Sequence, residues 1–118
     1  MHNFKDLRVW QKAIDLAVDV YKAMATLPID ERYGLISQMK RCSISISSNI
    51  AEGSGRGSEL QFKHFLNISQ GSAFELETQL IIANRLGLLN DALTTNLTER
   101  TTEIQKMIYS LERKIVKN

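Results

Sequence analysis

The sequence predicts an all-α protein, an antiparallel up-down-up-down four-helix bundle. Three observations lead there. Apolar residues recur at spacings of three and four along nearly the whole chain. The breaks between these periodic segments are short and hold the helix-stopping residues, including Pro28, the chain's single proline. The valines and isoleucines sit at helical spacing, so no alternating strand pattern competes. A length of 118 residues fits one domain over residues 1–118 with one core.

In the first segment Leu7, Trp10, Ile14, Ala17, Tyr21 and Met24 form a stripe, widened by Ala13, Val20 and Leu27. This spacing predicts a helix over about residues 5–27. Pro28 stops it, because proline fixes φ and has no N–H to donate.

Asp30 is the expected N-cap of the second helix, with Glu31 in the first turn complementing the dipole. Its stripe is Ile36, Met39, Ser43, Ile46 and Ile50. Between Cys42 and Ala51 the residues are mostly small, and serine is a mediocre helix former. Such a helix needs tertiary contacts, and small side chains let a neighbour come close. Gly53, Gly55 and Gly57 are expected to end it.

Ser58-Glu59-Leu60-Gln61 has the form of a capping box, so the third helix is expected from Ser58 to Leu86. Phe62, Phe65, Leu66, Ser69, Ala73, Leu76, Leu80 and Ala83 make its stripe. Gly71 and Ser72 fall mid-helix, where glycine costs about 1 kcal/mol against alanine; close helix packing is the expected compensation. Gly87 marks the C-terminus. Ile81, Ile82, Leu86, Leu88 and Leu89 add apolar surface off the stripe, beyond what one bundle seam needs, and point to subunit contacts.

Asn90 or Asp91 is expected to cap the fourth helix. Leu93, Leu97, Ile104, Ile108, Leu111 and Ile115 carry its stripe, with Arg100 and Thr101 as a weak layer. Its basic tail, Arg113 to Lys117, suits a helix C-terminus.

Composition narrows the function. The net charge is +2, from 15 basic and 13 acidic residues, so a monomer has no strong general attraction for nucleic acid. A homo-oligomer multiplies that excess. Cys42 is the single cysteine and is expected to be a small buried residue without a disulfide or zinc partner. The N-terminus lacks the apolar region of a signal peptide, and no apolar run reaches the roughly 18 residues of a membrane span. The expected location is cytoplasmic, with no membrane association.

Residues Ser47 to Glu59, SSNIAEGSGRGSE, are the compositional oddity. Neither phosphate-loop fingerprint fits: no G-x-x-x-x-G-K-[S/T] is present, and G-x-G-x-x-G would need glycine where Ser58 stands. A helix starting beside Arg56 can still meet a phosphate of a nucleic-acid backbone. Glu52, at a helix C-terminus, needs a positive neighbour, and Arg56 and Arg41 are the candidates. Asn49 adjoins the apolar stripe and needs hydrogen-bond partners. No nucleophile, metal site or second positioned carboxylate accompanies Glu52, so an enzyme is not expected. Glu75 and Glu77 with His64 lack the Glu-x-x-His motifs of di-metal bundles, and no metal or cofactor is expected.

Five stretches together resemble a known family. They are F-x-x-L-x-V-W from Phe4 to Trp10, P-x-x-E-x-Y-G-L from Pro28 to Leu35, and R-x-S-I-S-I-x-S-N-I-A-E-G from Arg41 to Gly53. Gly55-Arg56 and F-x-x-F-L-x-I-x-x-G-S-x-x-E-L from Phe62 to Leu76 complete the set. The chain resembles, over about residues 4–86, the four-helix-bundle proteins encoded in intervening sequences of bacterial 23S ribosomal RNA genes. Ser47 departs from the family, which often has proline there.

The resemblance implies a ring, typically a homopentamer. It also implies kinship with the accessory protein of diversity-generating retroelements, a basic pentameric barrel that binds nucleic acid and a reverse transcriptase. The expected function is therefore a non-catalytic, ring-forming protein that contacts RNA or DNA through phosphates. The alternative is a protein–protein scaffold, with a reverse transcriptase or another protein as partner. Lys40, Arg41, Arg56, Lys63, Arg113, Lys114 and Lys117 are the candidate nucleic-acid contacts. Asn49, Glu52, Gly53 and Arg56 are the structural signature; Asn49, Glu52 and Arg56 are expected to clasp the corner between helices two and three.

Overall fold

The structure, a computed structural model, describes residues 3–115, without the side chains of residues 31–33. Lys117, one of the expected contacts, lies outside the described residues, as do the side chains of Glu31 and Tyr33 in the family signature. Four α-helices pack around one core: α1 Arg8–Met24, α2 Ser37–Ser54, α3 Glu59–Arg85 and α4 Asp91–Ile115. No strand occurs among the described residues. The molecule measures 47 × 22 × 20 Å.

α1 begins later than its periodicity suggests. A 3-10 turn, Phe4–Asp6, comes first, capped by Asn3, whose side chain accepts from the Lys5 N–H at 3.2 Å. Leu7 is extended, and the α-helix starts after it. The core-facing line is also shifted. Val9, Ala13, Leu16, Val20, Ala23, Met24 and Leu27 are buried, while Trp10, Ile14 and Ala17 are half-buried and Tyr21 is exposed. α1 carries two adjacent apolar lines at helical spacing, and spacing alone does not say which faces the core.

Asp30 does not cap α2. A 3-10 turn over Ile29–Glu31 and a π-helical turn over Arg32–Ile36 lead into it. A π turn takes in one more residue than an α turn and re-phases the helix that follows. The re-phased helix puts Ile36, Met39, Ser43, Ile46 and Ile50 on the buried side. The helix runs unbroken through Ser47, whose hydroxyl donates to the Ile44 carbonyl at 3.1 Å.

The glycines after α2 do not act as a left-handed cap. Gly53 is still helical, Gly55 closes the helix at φ −86° and ψ −4°, and Gly87 is the one described glycine with positive φ. Ser58 then caps α3, accepting from the Gln61 N–H at 3.1 Å. At the other end of α3, Gly87 at φ 78° fulfils the C-terminal expectation. The Leu88 N–H donates to Ala83 O and the Gly87 N–H to Asn84 O, both at 2.9 Å, which satisfies two carbonyls the helix end would leave unpaired. Asn90, not Asp91, caps α4, accepting from the Leu93 N–H at 2.8 Å. Asp91 instead receives the Asn84 amide at 2.8 Å, which ties the α3–α4 connection together.

Most of the α3 and α4 stripes are buried, whereas Phe65, Leu93, Leu111 and Ile115 are half-buried. Phe62, Leu66, Ala73, Leu76 and Leu80 meet Leu97, Ile104 and Ile108 in the core. Thr101 is fully buried and spends its hydroxyl on the Leu97 carbonyl at 2.7 Å. Arg100 turns aside to pair with Asp19 of α1 at 2.8 Å. Gln105 joins α4 to α3: its side-chain amide donates to Glu77 at 2.8 Å, and its backbone carbonyl accepts from the Gln70 amide at 2.9 Å. α1 packs on α2 and α4, and α3 packs on the same two helices, so α1 and α3 lie diagonally across the core.

Candidate functional site

The signature residues sit where α2 meets α3, and the serines explain how the two helices come so close. Ser43 and Ser54 turn their hydroxyls back to carbonyls three residues earlier, at 2.9 Å each. A buried hydroxyl satisfied this way costs little and occupies little space. Ser69 of α3 donates across the seam to the Ile46 carbonyl at 2.8 Å. The Ser45 and Ser72 hydroxyls share a hydrogen bond of 2.8 Å.

Asn49 joins this seam. Its amide donates to the Ser45 carbonyl at 2.8 Å and to the Ser45 hydroxyl at 2.9 Å. It therefore braces the middle of the α2–α3 contact through Ser45 and does not reach the corner. The sequence makes Asn49 conspicuous; the bridging pair Ser45 and Ser72 is hidden among many serines.

The corner itself is held by Gly53, Glu52 and Arg56. A Cβ on Gly53 would lie 2.6 Å from Phe65 Cβ and 3.0 Å from Phe62 Cδ1, so only glycine lets α3 cross here. Glu52 pairs with Arg56 one turn on, at 2.8 Å. The Arg56 guanidinium also lies 4.8 Å from the Phe65 ring centroid. Both members of the pair are about half exposed, so the pair contributes at most about 1 kcal/mol. Its consequence is positional: it covers the Glu52 charge at the helix end and commits Arg56 to the protein's own surface.

Cys42 is buried, with the Gln79 amide donating to its sulfur at 3.5 Å. Burial pushes its thiol pKa up, and the Gln79 bond and Arg41 only partly oppose that. A raised thiol pKa keeps the group protonated and a poor nucleophile.

The nominated cations fall into two sets. Four are engaged. Arg56 is paired with Glu52, and Lys40 lies 4.9 Å from the Tyr21 ring centroid. Arg113 lies 5.6 Å from the Tyr109 ring and donates to its hydroxyl at 3.3 Å. Lys63 stands near Glu112, whose carboxyl is raised by partial burial and lowered by the lysine's charge. Arg41 and Lys114 are exposed and have no ion-pair partner among the described residues. Arg8, Lys22, Arg85 and Lys106, which sequence reasoning passed over, are also exposed and without an ion-pair partner among the described residues. Arg8 lines a groove of about 290 Å³ with Leu7, Val9, Met107, Ser110, Leu111 and Lys114. The contact of α1's start with α4's end could not be seen from either segment alone.

Within one chain these cations do not form a single patch. Lys40 stands over Tyr21, whereas Lys114 stands beside Arg8, thirteen residues earlier in the chain than Tyr21 and about 20 Å away along a helix. A surface groove of about 550 Å³ is lined by Glu77, Thr98, Glu99, Arg100, Thr102, Glu103 and Lys106. Arg100 is already bound to Asp19, and Thr98 donates to the Thr94 carbonyl at 2.8 Å. No cluster of three or more His, Cys, Asp or Glu side chains suited to a metal occurs among the described residues. No helix among them is long and apolar enough to cross a membrane.

Fold and site together define a class: a four-helix protein whose small, polar stretch fastens two helices and which presents cations at its surface. More particularly, the chain belongs to the 23S rRNA-intervening sequence protein family, whose model matches residues 5–110. It is also similar to a crystal structure from Bacteroides thetaiotaomicron VPI-5482, described as a protein with unknown function from the S23 ribosomal protein family. The TM-score is 0.83 at 26% identity, covering 89% of this chain and 95% of that one. No curated protein matches the sequence.

Proposed function

We propose that the protein is a cytoplasmic, non-catalytic assembly protein. In this reading it is an antiparallel up-down-up-down bundle that associates into a homopentameric ring and contacts RNA or DNA through backbone phosphates. Cross-helix pairs support the antiparallel order. Gly53 with Phe62, Ile46 with Ser69, Ser45 with Ser72 and Cys42 with Gln79 match falling numbers on α2 with rising numbers on α3.

The observation that carries the nucleic-acid reading is a set of exposed cations without an ion-pair partner among the described residues, Arg8, Arg41 and Lys114 among them. Phosphate contacts need cations free to exchange counterions, and repetition around a ring turns scattered charges into a periodic track. A net charge of +2 per chain becomes +10 in five copies (5 × 2). A second reading, a protein scaffold without a nucleic-acid role, is favoured by the large apolar side chains left exposed on α3.

Fluorescence anisotropy with labelled single-stranded RNA separates the two. Phosphate contact predicts binding at low salt that falls linearly in log–log form as salt rises. Arg41→Glu with Lys114→Glu should weaken binding about tenfold or more and flatten the salt slope. Arg56→Ala should change it far less, because Glu52 and Phe65 already hold that side chain. Absent binding at low salt, or binding indifferent to salt, would remove the nucleic-acid reading and leave the scaffold.

A further inference from the structure

Four of the exposed apolar side chains share one helix face. Ile68, Phe74, Ile81 and Ile82 are 40–54% exposed, and all four lie on α3. With Gly71 and Thr78 they recur at three- and four-residue steps on the side turned away from Leu66, Ala73, Leu76 and Leu80. Gly71 stands within this face, and a Cβ built there would meet nothing within 4 Å. Close packing inside the chain therefore accounts for Ser72, which meets Ser45, but not for Gly71. A mid-helix glycine weakens its helix, and its return is close approach of another backbone. Among the described residues no neighbour makes that approach.

The chain also carries a counterpart. Val18 and Tyr21 of α1 and Ile44 of α2 are 39–48% exposed. Lys40 reaches over the Tyr21 ring, which joins α1 and α2 at this patch, and Ile44 is one turn on from Lys40. Because α1 lies diagonally across the core from α3, the two apolar surfaces belong to different sides of the bundle. Exposed Glu75 and Arg85 border the α3 face, and exposed Lys22 and Asp15 border the α1 patch, so each surface carries charges of both signs for the other to match.

We infer that the α3 face around Gly71 docks a second copy of this chain, which lays its Val18, Tyr21 and Ile44 patch on it head to tail. The inference rests on the oligomeric reading above and specifies which surfaces meet. A contact between two different surfaces repeats from copy to copy and closes into a ring when the rotation allows.

Sedimentation velocity on three samples tests it: wild type, Gly71→Leu, and Val18→Glu. Each variant should assemble about tenfold or more weakly than wild type. Gly71→Leu should fold at least as well as wild type, because its site is open in the single chain, and circular dichroism at dilution checks this. Mixing the two variants is the sharper step. Gly71→Leu keeps an intact α1 patch and Val18→Glu keeps an intact α3 face, so the mixture should give one-to-one dimers and no larger rings. A wild-type oligomer with unaffected variants would overturn the inference and leave the ring standing. Disrupted variants that give no mixed dimer would overturn the head-to-tail pairing. A monomeric wild type would remove the oligomeric reading, and the inference with it.

Discussion

Gly53→Ala should destabilise the protein by about 1–3 kcal/mol, the range for overpacking a tight contact. Helix propensity alone predicts the opposite, since alanine is favoured over glycine by about 1 kcal/mol within a helix. Sterics decide the sign. The added Cβ would meet Phe65 Cβ at 2.6 Å and the Phe62 carbonyl oxygen at 3.2 Å. Neither atom is the far end of a flexible side chain, so α2 and α3 have to separate where Ser45, Ser69 and Ser72 hold them together. Gly55→Ala is the internal control. Its Cβ would lie 3.7 Å from the Glu52 carbonyl oxygen, an ordinary contact, and its backbone is already αR. Urea unfolding should show Gly53→Ala with a lower midpoint and Gly55→Ala close to wild type. Equal midpoints for the two variants would contradict the close crossing.

Phe62→Ala should cost more, about 3–5 kcal/mol, as for other large buried aromatics. Phe62 is 1% exposed, and its ring closes the corner over Gly53 while its stripe continues to Leu66 and Ser69. Truncation leaves a cavity bounded by backbone that the serine hydrogen bonds keep in place. The two substitutions should also couple. Removing the Phe62 ring takes away one of the clashes with alanine at position 53 but leaves Phe65 Cβ, so the double variant should be less destabilised than the sum of the singles. Strict additivity in a thermal or urea double-mutant cycle would place the two residues apart.

How much of this was legible in the sequence varies by element. α3 and α4 were clear because their ends use local chemistry: Ser58, Asn90 and Gly87 act within one turn of themselves. The start of α2 was not, because the π turn over Arg32–Ile36 answers to where Ile36 and Met39 must point, which is a tertiary demand. The core side of α1 was ambiguous for a related reason. Its second apolar line, with Ile14, Ala17 and Tyr21, is set apart from the core line only by which neighbours it meets.

At the corner, the helix dipole called for a cation near Glu52 and left Arg56 and Arg41 both open; the structure pairs Glu52 with Arg56. Gly53 was visible as a signature residue, but its task was not. It looked like a helix stop, and it is a contact point whose partners, Phe62 and Phe65, lie beyond the turn. Asn49 acts through Ser45 and Ser72, and only the register of α2 against α3 brings those together. The cations show the same limit. Sequence gives their charge, but packing decides that Arg56 and Arg113 are engaged while Arg41, Lys114 and Arg8 have no ion-pair partner among the described residues.

The ring is the common premise of both the phosphate track and the pairing of the two apolar faces. Its most direct test is the native mass of the wild-type protein, by multi-angle light scattering at micromolar concentration in moderate salt. The account predicts a single species at five times the 13.4 kDa chain mass. A species at one chain mass across that concentration range would contradict it.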